Sequence, residues 1–212
     1  MTGVATHFWD CNGGSCDSGT LQPWDPSKYR YAPQYAPQDP NDYGGAKYGE
    51  KIWMTGAPNI GLARLLEGDS NCCGSEDQFG DNCGQCMLVT VPSAVNADWK
   101  VLVMKKNSCP EWSNGCGANE IHLDLAAPGF DNLDFSTANI CGEPGTYISK
   151  STSSVCGDWY NRGGNTIDGC NCRSIPHDET ATEAEKMIYK GCELFRSWGW
   201  TTGNPHDLQI QT

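Results

Sequence analysis

The chain has 212 residues and a net charge of −12 at neutral pH, which is enough length for one domain with its own hydrophobic core. This charge repels phosphate backbones and anionic membranes, so it argues against nucleic acid and membrane partners and favours a neutral ligand. No apolar run approaches the roughly 18 residues of a membrane span, and "MTGVATHFW" lacks the features of a signal peptide. We expect one domain over residues 1–212, without an appended binding module, in a mature secreted monomer.

Thirteen cysteines are spread along the whole chain. This density is typical of a secreted protein stapled by disulfides. The metal alternative is Cys83-x-x-Cys86, but no second C-x-x-C lies at zinc-finger spacing. We therefore expect no metal and no other cofactor. The odd number leaves at least one thiol unpaired within the chain, and the sequence does not identify it.

The segment 21–51 is dense in Pro, Gly, Gln and Tyr and repeats "YAPQ" at 31 and 35. Prolines interrupt helices and β-ladders, so this segment predicts an ordered loop at best. Its tyrosines have two interpretations of equal weight, namely packing within the loop or a surface that stacks on sugar rings.

The middle of the chain predicts a short helix followed by two strands. After Pro58, apolar residues at 60, 62, 65 and 66 recur at near-helical spacing, and Gly68 ends the pattern. Two β-prone runs, 86–91 and 99–105, are separated by turn-forming residues. We expect these runs to form neighbouring strands.

Near the C-terminus, Thr182 and Glu185 have the spacing of a capping box. Apolar or small residues then recur along one helical face, at Met187, Gly191, Leu194 and Trp198. This pattern predicts a helix over residues 181–198. After a turn, the alternation in "LQIQT" predicts a terminal strand.

Two acidic residues lie in short segments with the pattern of extended chain. In "EIHLDLA", residues 120–126, alternation turns the aliphatic side chains to one side, while His122 and Asp124 share the other. In "ATHFWDC", residues 5–11, the same alternation places Thr6, Phe8 and Asp10 on one face. The two segments could therefore present both acids to one cleft.

Two carboxylates on separate rigid segments, one in an apolar and one in a polar setting, suit the hydrolysis of a glycosidic bond. One carboxyl group donates its proton to the leaving oxygen, while the other activates water or attacks the sugar. The alternative is that Asp124 only caps a turn or bonds nearby backbone. From the residue pattern alone, this structural alternative outweighs catalysis.

Four segments, taken together, resemble one enzyme family. "THFWDC" at 6–11 is similar to a T-x-Y-W-D-C segment, and "HLDLAAPGF" at 122–130 to an H-F-D-L-x-x-P-G segment. "CGQCMLVT" at 83–90 resembles a cysteine-rich strand, and "GCELFRSWGWTTGNPHDLQIQ" at 191–211 a closing helix, Asn-Pro turn and last strand. The family is glycoside hydrolase family 45, the small fungal and invertebrate endoglucanases. The segments follow its order and span the chain, although the loops between them diverge.

The resemblance implies a mainly β fold, a six-stranded double-psi β-barrel with a few helices and long disulfide-stapled loops. It also implies an open groove and endo-cleavage of β-1,4-glucan, in cellulose and related polysaccharides, with inversion. By position, Asp124 matches the general acid and Asp10 the general base, and His122 matches a histidine that supports the acid. Thr6 and Phe8 match substrate-contacting positions.

The chain departs from the family pattern at several positions. Phe8 replaces the usual tyrosine, which keeps the stacking ring and removes one hydroxyl. Gly117 stands where fungal members carry a further aspartate. The aromatic residue expected just after Cys16 is missing, and the candidate substitutes for binding substrate are Trp24 and a tyrosine from the following loop. Asn107 is a reserve candidate for positioning the water, because some branches of the family use an amide there.

The same matching implies three disulfides, Cys16 with Cys83, Cys11 with Cys141, and Cys86 with Cys192; cysteine spacing alone would not select these pairs.

Two other classes of protein compete with the enzyme: an expansin-like or barwin-like polysaccharide-binding protein that does not hydrolyse, and a cysteine-rich defence protein. Expansins generally lack the acid of the W-D-C segment, so Asp10 favours an enzyme.

Overall fold

The computed structural model describes residues 1–8, 16, 35–66, 83–111, 116–117, 119–128, 172, 176–200 and 204–212. The strands are β1 (Thr2–Phe8), β2 (Glu50–Pro58), β3 (Cys86–Thr90), β4 (Lys100–Lys105), β5 (His122–Ala126) and β6 (Leu208–Gln211). The helices are a 3-10 helix (Pro40–Tyr43), α1 (Ile60–Leu65) and α2 (Glu183–Trp198). None of the helices in these ranges is long and apolar enough to cross a membrane.

The six strands close into a barrel in the order β1-β5-β2-β4-β3-β6. The pairs β1–β5 and β2–β4 are parallel, and the other pairs are antiparallel. Thr6 of β1 and Ala57 of β2 both lie opposite Asp124 of β5. The register therefore places these three residues in one row across neighbouring strands.

Alternation along the strands separates the barrel interior from its outer face. Val101 and Val103 of β4, and Leu123 and Leu125 of β5, are fully buried in the main apolar core. The prediction of a mainly β fold with a closed six-stranded barrel is confirmed. The two predicted neighbouring strands are β3 and β4, and the predicted terminal strand is β6.

Helix α2 begins at the predicted capping box, in which Thr182 and Glu185 each bond the other's backbone N–H. Its buried face comprises Ile188, Gly191, Cys192, Phe195 and Trp198. Met187 and Leu194, which the sequence pattern placed on this face, are only partly buried. The predicted short helix after Pro58 is also present, as α1.

The disulfide prediction is correct for one pair and wrong for another. Cys16 is bonded to Cys83 as expected, but Cys192 is bonded to Cys172 and not to Cys86. The physical reason is orientation, because Cys192 is buried on α2 while Cys86 begins β3 with its side chain exposed. Cys86 is a free thiol, and the expected partners Cys11 and Cys141 lie outside the described residues.

Candidate functional site

Thr6, His122 and Asp124 form a hydrogen-bonded group on the outer face of β1 and β5. Thr6 Oγ1 donates to Asp124 Oδ1 at 2.8 Å and lies 2.7 Å from His122 Nε2. The predicted sharing of one face by His122 and Asp124 is confirmed, and strand pairing adds Thr6 to the same group. The aliphatic neighbours of Asp124 along the chain point into the barrel, so they do not line its carboxyl group.

The Thr6 hydroxyl carries a single proton, and this fixes the direction of the hydrogen bonds. Because that proton is donated to Asp124, the bond to His122 requires an N–H on Nε2 that donates to Thr6 Oγ1. The result is a chain from imidazole through hydroxyl to carboxylate. Such a chain orients the Asp124 carboxyl group, and the His122 N–H strengthens the hydrogen bond that the Thr6 hydroxyl donates to it.

Asn59 fixes the backbone that leads into β5. Its amide Nδ2 donates to Gly117 O at 2.8 Å and to Glu120 O at 2.6 Å, while its Oδ1 accepts from His122 N at 3.3 Å. Asn59 is fully buried and also caps α1 by accepting from Leu62 N. Sequence reasoning did not single out this residue, although an Asn directly before a predicted helix is a capping signal.

Phe8 lies at the end of β1 and has two kinds of contact. Its side chain packs against Ala57 and the Cys109–Cys116 disulfide. The Nζ of Lys106 lies over its ring, 5.2 Å from the ring centre. The second predicted substrate-contacting residue is therefore held firmly beside the row that contains Asp124.

Lys106 is a buried cation that sequence reasoning missed. Its side chain is 2% exposed, and its Nζ also lies 4.9 Å from the centre of the Tyr35 ring. Its backbone N–H donates to Gly56 O, and its carbonyl accepts from Cys16 N. Cation–π contacts of this kind stabilise a lysine away from water. A lysine directly after a strand is a weak signal, because most such residues face solvent.

Asn107 follows Lys106 at the end of β4, so it lies at the same end of β2 as Ala57. Its N–H bonds Gly56 O at 3.4 Å, and its Oδ1 accepts from Ser108 N at 2.9 Å.

At Gly117, where the family resemblance implies an aspartate, a Cβ would meet no atom within 4 Å. The position therefore has space for a side chain.

Asp10 and Trp24 lie outside the described residues, so their distances from Asp124 are not described. Among the described side chains, Cys109, Cys116 and His122 have ligand atoms within 4.8 Å of one another. The sulfurs of Cys109 and Cys116 are joined in a disulfide, so they cannot serve as thiolate ligands. The same holds for Cys83 of the Cys83-x-x-Cys86 motif, which is bonded to Cys16.

No protein-family model and no curated protein matches the sequence. Among solved structures, the chain is similar to a cellulase from the Antarctic springtail Cryptopygus antarcticus, with a TM-score of 0.47 and 13% identity, covering 99% of this chain and 90% of that one. It is also similar to the GH45 endoglucanase EG27II in complex with cellobiose, with a TM-score of 0.34 and 19% identity, covering 58% and 67% of the respective chains. A third similar structure is the β-1,4-D-endoglucanase Cel45A of the blue mussel Mytilus edulis, with a TM-score of 0.36 and 19% identity, covering 59% of this chain and 67% of that one. These TM-scores are low, so the likenesses assign no function.

Proposed function

We propose that this protein is a secreted endo-β-1,4-glucanase that hydrolyses internal bonds of cellulose and related β-glucans with inversion. The observation that carries the proposal is the Thr6–His122–Asp124 group, which lies on the outer face of a closed barrel. It occupies the two sequence segments that resemble glycoside hydrolase family 45. The reaction needs no metal or cofactor, and one domain, acting as a monomer, carries it.

Asp124 acts as the general acid. Its Oδ1 accepts the Thr6 hydroxyl, so the proton to be transferred is carried on Oδ2 and donated to the leaving glycosidic oxygen. After transfer, the new carboxylate keeps the hydrogen bond from Thr6, which is itself supported by His122 Nε2–H. The hydrogen-bond chain thus stabilises the charge that develops during bond cleavage.

Asp10 acts as the general base that takes a proton from the attacking water. In an inverting reaction the two carboxyl groups stand about 6.5–9.5 Å apart, which leaves room for that water. Asn107 is the alternative residue for positioning the water. Both assignments rest on the sequence resemblance, and Asp10→Ala compared with Asn107→Ala separates them.

The substrate binds across the outer face of β1 and β5. Phe8 stacks on a sugar ring, and the Thr6 hydroxyl and Trp24 provide further contacts. The cation–π contact with the buried Lys106 helps to hold the Phe8 ring in place.

The test is an assay on carboxymethyl cellulose that follows both viscosity and reducing sugar. Endo-hydrolysis predicts a fast fall in viscosity with few reducing ends, and Asp124→Asn should lower kcat by about 10²–10⁴-fold because the acid is lost. Asp207→Asn is a matched control, since the Asp207 carboxylate accepts a hydrogen bond from the Ser93 hydroxyl and is not part of the Thr6–His122–Asp124 group. Binding without reducing ends from the wild-type protein would instead support an expansin-like or barwin-like role.

A further inference from the structure

A cavity of about 490 Å³ lies between residues 37–43 and helix α2. This volume falls within the range of about 300–1,000 Å³ that is usual for small-ligand sites. The two sides are in direct contact at Gly191, where a Cβ would lie only 2.8 Å from the Cβ of Ala36. Residues 36–37 therefore pack directly on α2 beside the cleft.

One wall of the cleft contains Tyr43, which is 53% exposed but is supported by a second aromatic ring. Its ring stacks on Trp53 with centroids 5.8 Å apart and an interplanar angle of 22°. The Trp53 indole N–H donates to Glu50 Oε1 at 3.1 Å, and the Glu50 side chain is buried. An exposed ring with this support loses little conformational entropy when a ligand packs on it.

The opposite wall contains Tyr189 of α2. Its ring stacks on His177 with centroids 4.2 Å apart and an interplanar angle of 14°. Both walls of the cleft are therefore aromatic rings that are backed by a second ring. Flat aromatic surfaces suit the C–H face of a pyranose ring.

The remaining lining combines the apolar side chains of Pro37, Met187 and Leu194 with polar groups of both charges. Asp42 and Lys190 form an ion pair at 3.9 Å, and Gln38, Glu193 and Ser197 also line the cleft. Carboxylate, amide, ammonium and hydroxyl groups all hydrogen-bond sugar hydroxyls. The mixed charge and the overall net charge of −12 disfavour an anionic ligand.

The cleft is separate from the row that contains Asp124. Ala57 pairs with Asp124, and Trp53 lies four residues earlier on β2, about 13 Å away at 3.3 Å per residue. Trp53 and Ala57 are an even number of residues apart, so they share the outer face of the strand. One polysaccharide chain could contact both the cleft and the row that contains Asp124, and its contacts in the cleft would take no part in hydrolysis.

We propose that the cleft between residues 37–43 and α2 is a second binding site for a neutral β-glucan chain. The identification of the ligand as a β-glucan rests on the proposed function. The aromatic walls and the polar lining residues are features of the structure that do not depend on it. The site holds polysaccharide against the protein and leaves the hydrolytic step unchanged.

The experiment uses the full chain with Asp124→Asn, so that hydrolysis during the titration is at least about 100-fold slower. Titration with cellohexaose, followed by amide NMR shifts, should move resonances of α2 around Tyr189 and Lys190. Tyr43→Ala and Tyr189→Ala should each weaken this binding by about two- to tenfold. Tyr48→Ala is the matched control, because Tyr48 is 65% exposed but does not line the cleft.

In the active protein, Tyr43→Ala should lower the fraction bound to insoluble cellulose while kcat on soluble carboxymethyl cellulose stays unchanged. Equal binding by the Tyr43→Ala, Tyr48→Ala and parent proteins, or shifts confined to residues around Asp124, would overturn the proposal. Failure of the proposed function is distinguishable, because it would give no hydrolysis by the wild-type protein while the titration of the cleft could still succeed.

Discussion

At the scale of single residues, the Thr6 hydroxyl is the group that connects the site. It joins β1 to β5 through two short hydrogen bonds, to His122 and to Asp124. A valine has nearly the same shape as threonine but cannot donate or accept, so it isolates the effect of the hydroxyl. A serine keeps the hydroxyl and loses only a methyl group.

We expect Thr6→Val to lower kcat by about 10- to 100-fold, because a hydrogen bond to a charged group is lost. Thr6→Ser should retain activity within about threefold. The measurement is steady-state kinetics on carboxymethyl cellulose, with circular dichroism to verify the fold. Equal activity of the wild-type and Thr6→Val proteins would show that the hydrogen-bond chain is not part of the mechanism.

At the scale of elements, Glu50 organises the start of β2. It accepts hydrogen bonds from the backbone N–H groups of Lys47 and Tyr48 and from the Trp53 indole. Burial by itself raises the pKa of Glu50, but these hydrogen bonds outweigh it and lower the pKa from 4.5 to about 2. The ionised carboxylate therefore stabilises this turn.

We expect Glu50→Gln to lower Tm by roughly 4–8 °C at pH 7. Because the folded pKa is depressed, the stabilisation is fully present above pH 4.5 and is lost as the pH falls towards 2, so the Tm difference should shrink over that interval. Calorimetry between pH 2 and 7 measures this. Glu183→Gln is the control, since that side chain is 88% exposed; a pH-independent difference for Glu50→Gln would contradict the assignment.

The elements also show what the sequence could predict. Strands β1, β3, β4, β5 and β6 and helices α1 and α2 follow from local periodicity and capping and were predicted. Strand β2 was not predicted, because its residues 54–58 are all buried and show no alternation of apolar and polar residues. Asn59 and Lys106 were missed because their roles depend on partners distant in sequence, such as Gly117 for Asn59 and Phe8 for Lys106. The register that sets Thr6 opposite Asp124 likewise arises from strand pairing and has no local signal.

At the scale of the whole molecule, disulfides connect the barrel to the segments around it. Cys16–Cys83 joins positions 67 residues apart, and Cys172–Cys192 ties α2 to residue 172. Each cross-link stabilises the fold mainly by restricting the unfolded chain. The free thiol of Cys86 on the outer side of β3 contributes no cross-link.

We expect Cys86→Ala to leave Tm almost unchanged, whereas the double variant Cys172→Ala/Cys192→Ala should lower it by roughly 6–12 °C, through a loss of about 3 kcal/mol. Peptide mapping of the non-reduced protein should find Cys172 linked to Cys192. A large loss of Tm on Cys86→Ala, or a peptide that links Cys86 to Cys192, would instead restore the pairing implied by the family resemblance.

The most direct test of Asp124-dependent, inverting hydrolysis is a ¹H NMR time course of the anomeric protons while the protein acts on cellohexaose. The predicted result is that internal bonds are cleaved and the new reducing ends appear first as the α-anomer, while Asp124→Asn forms products at least about 100-fold more slowly. Products that appear first as the β-anomer, undiminished cleavage by Asp124→Asn, or no cleavage by the wild-type protein would contradict the proposed function.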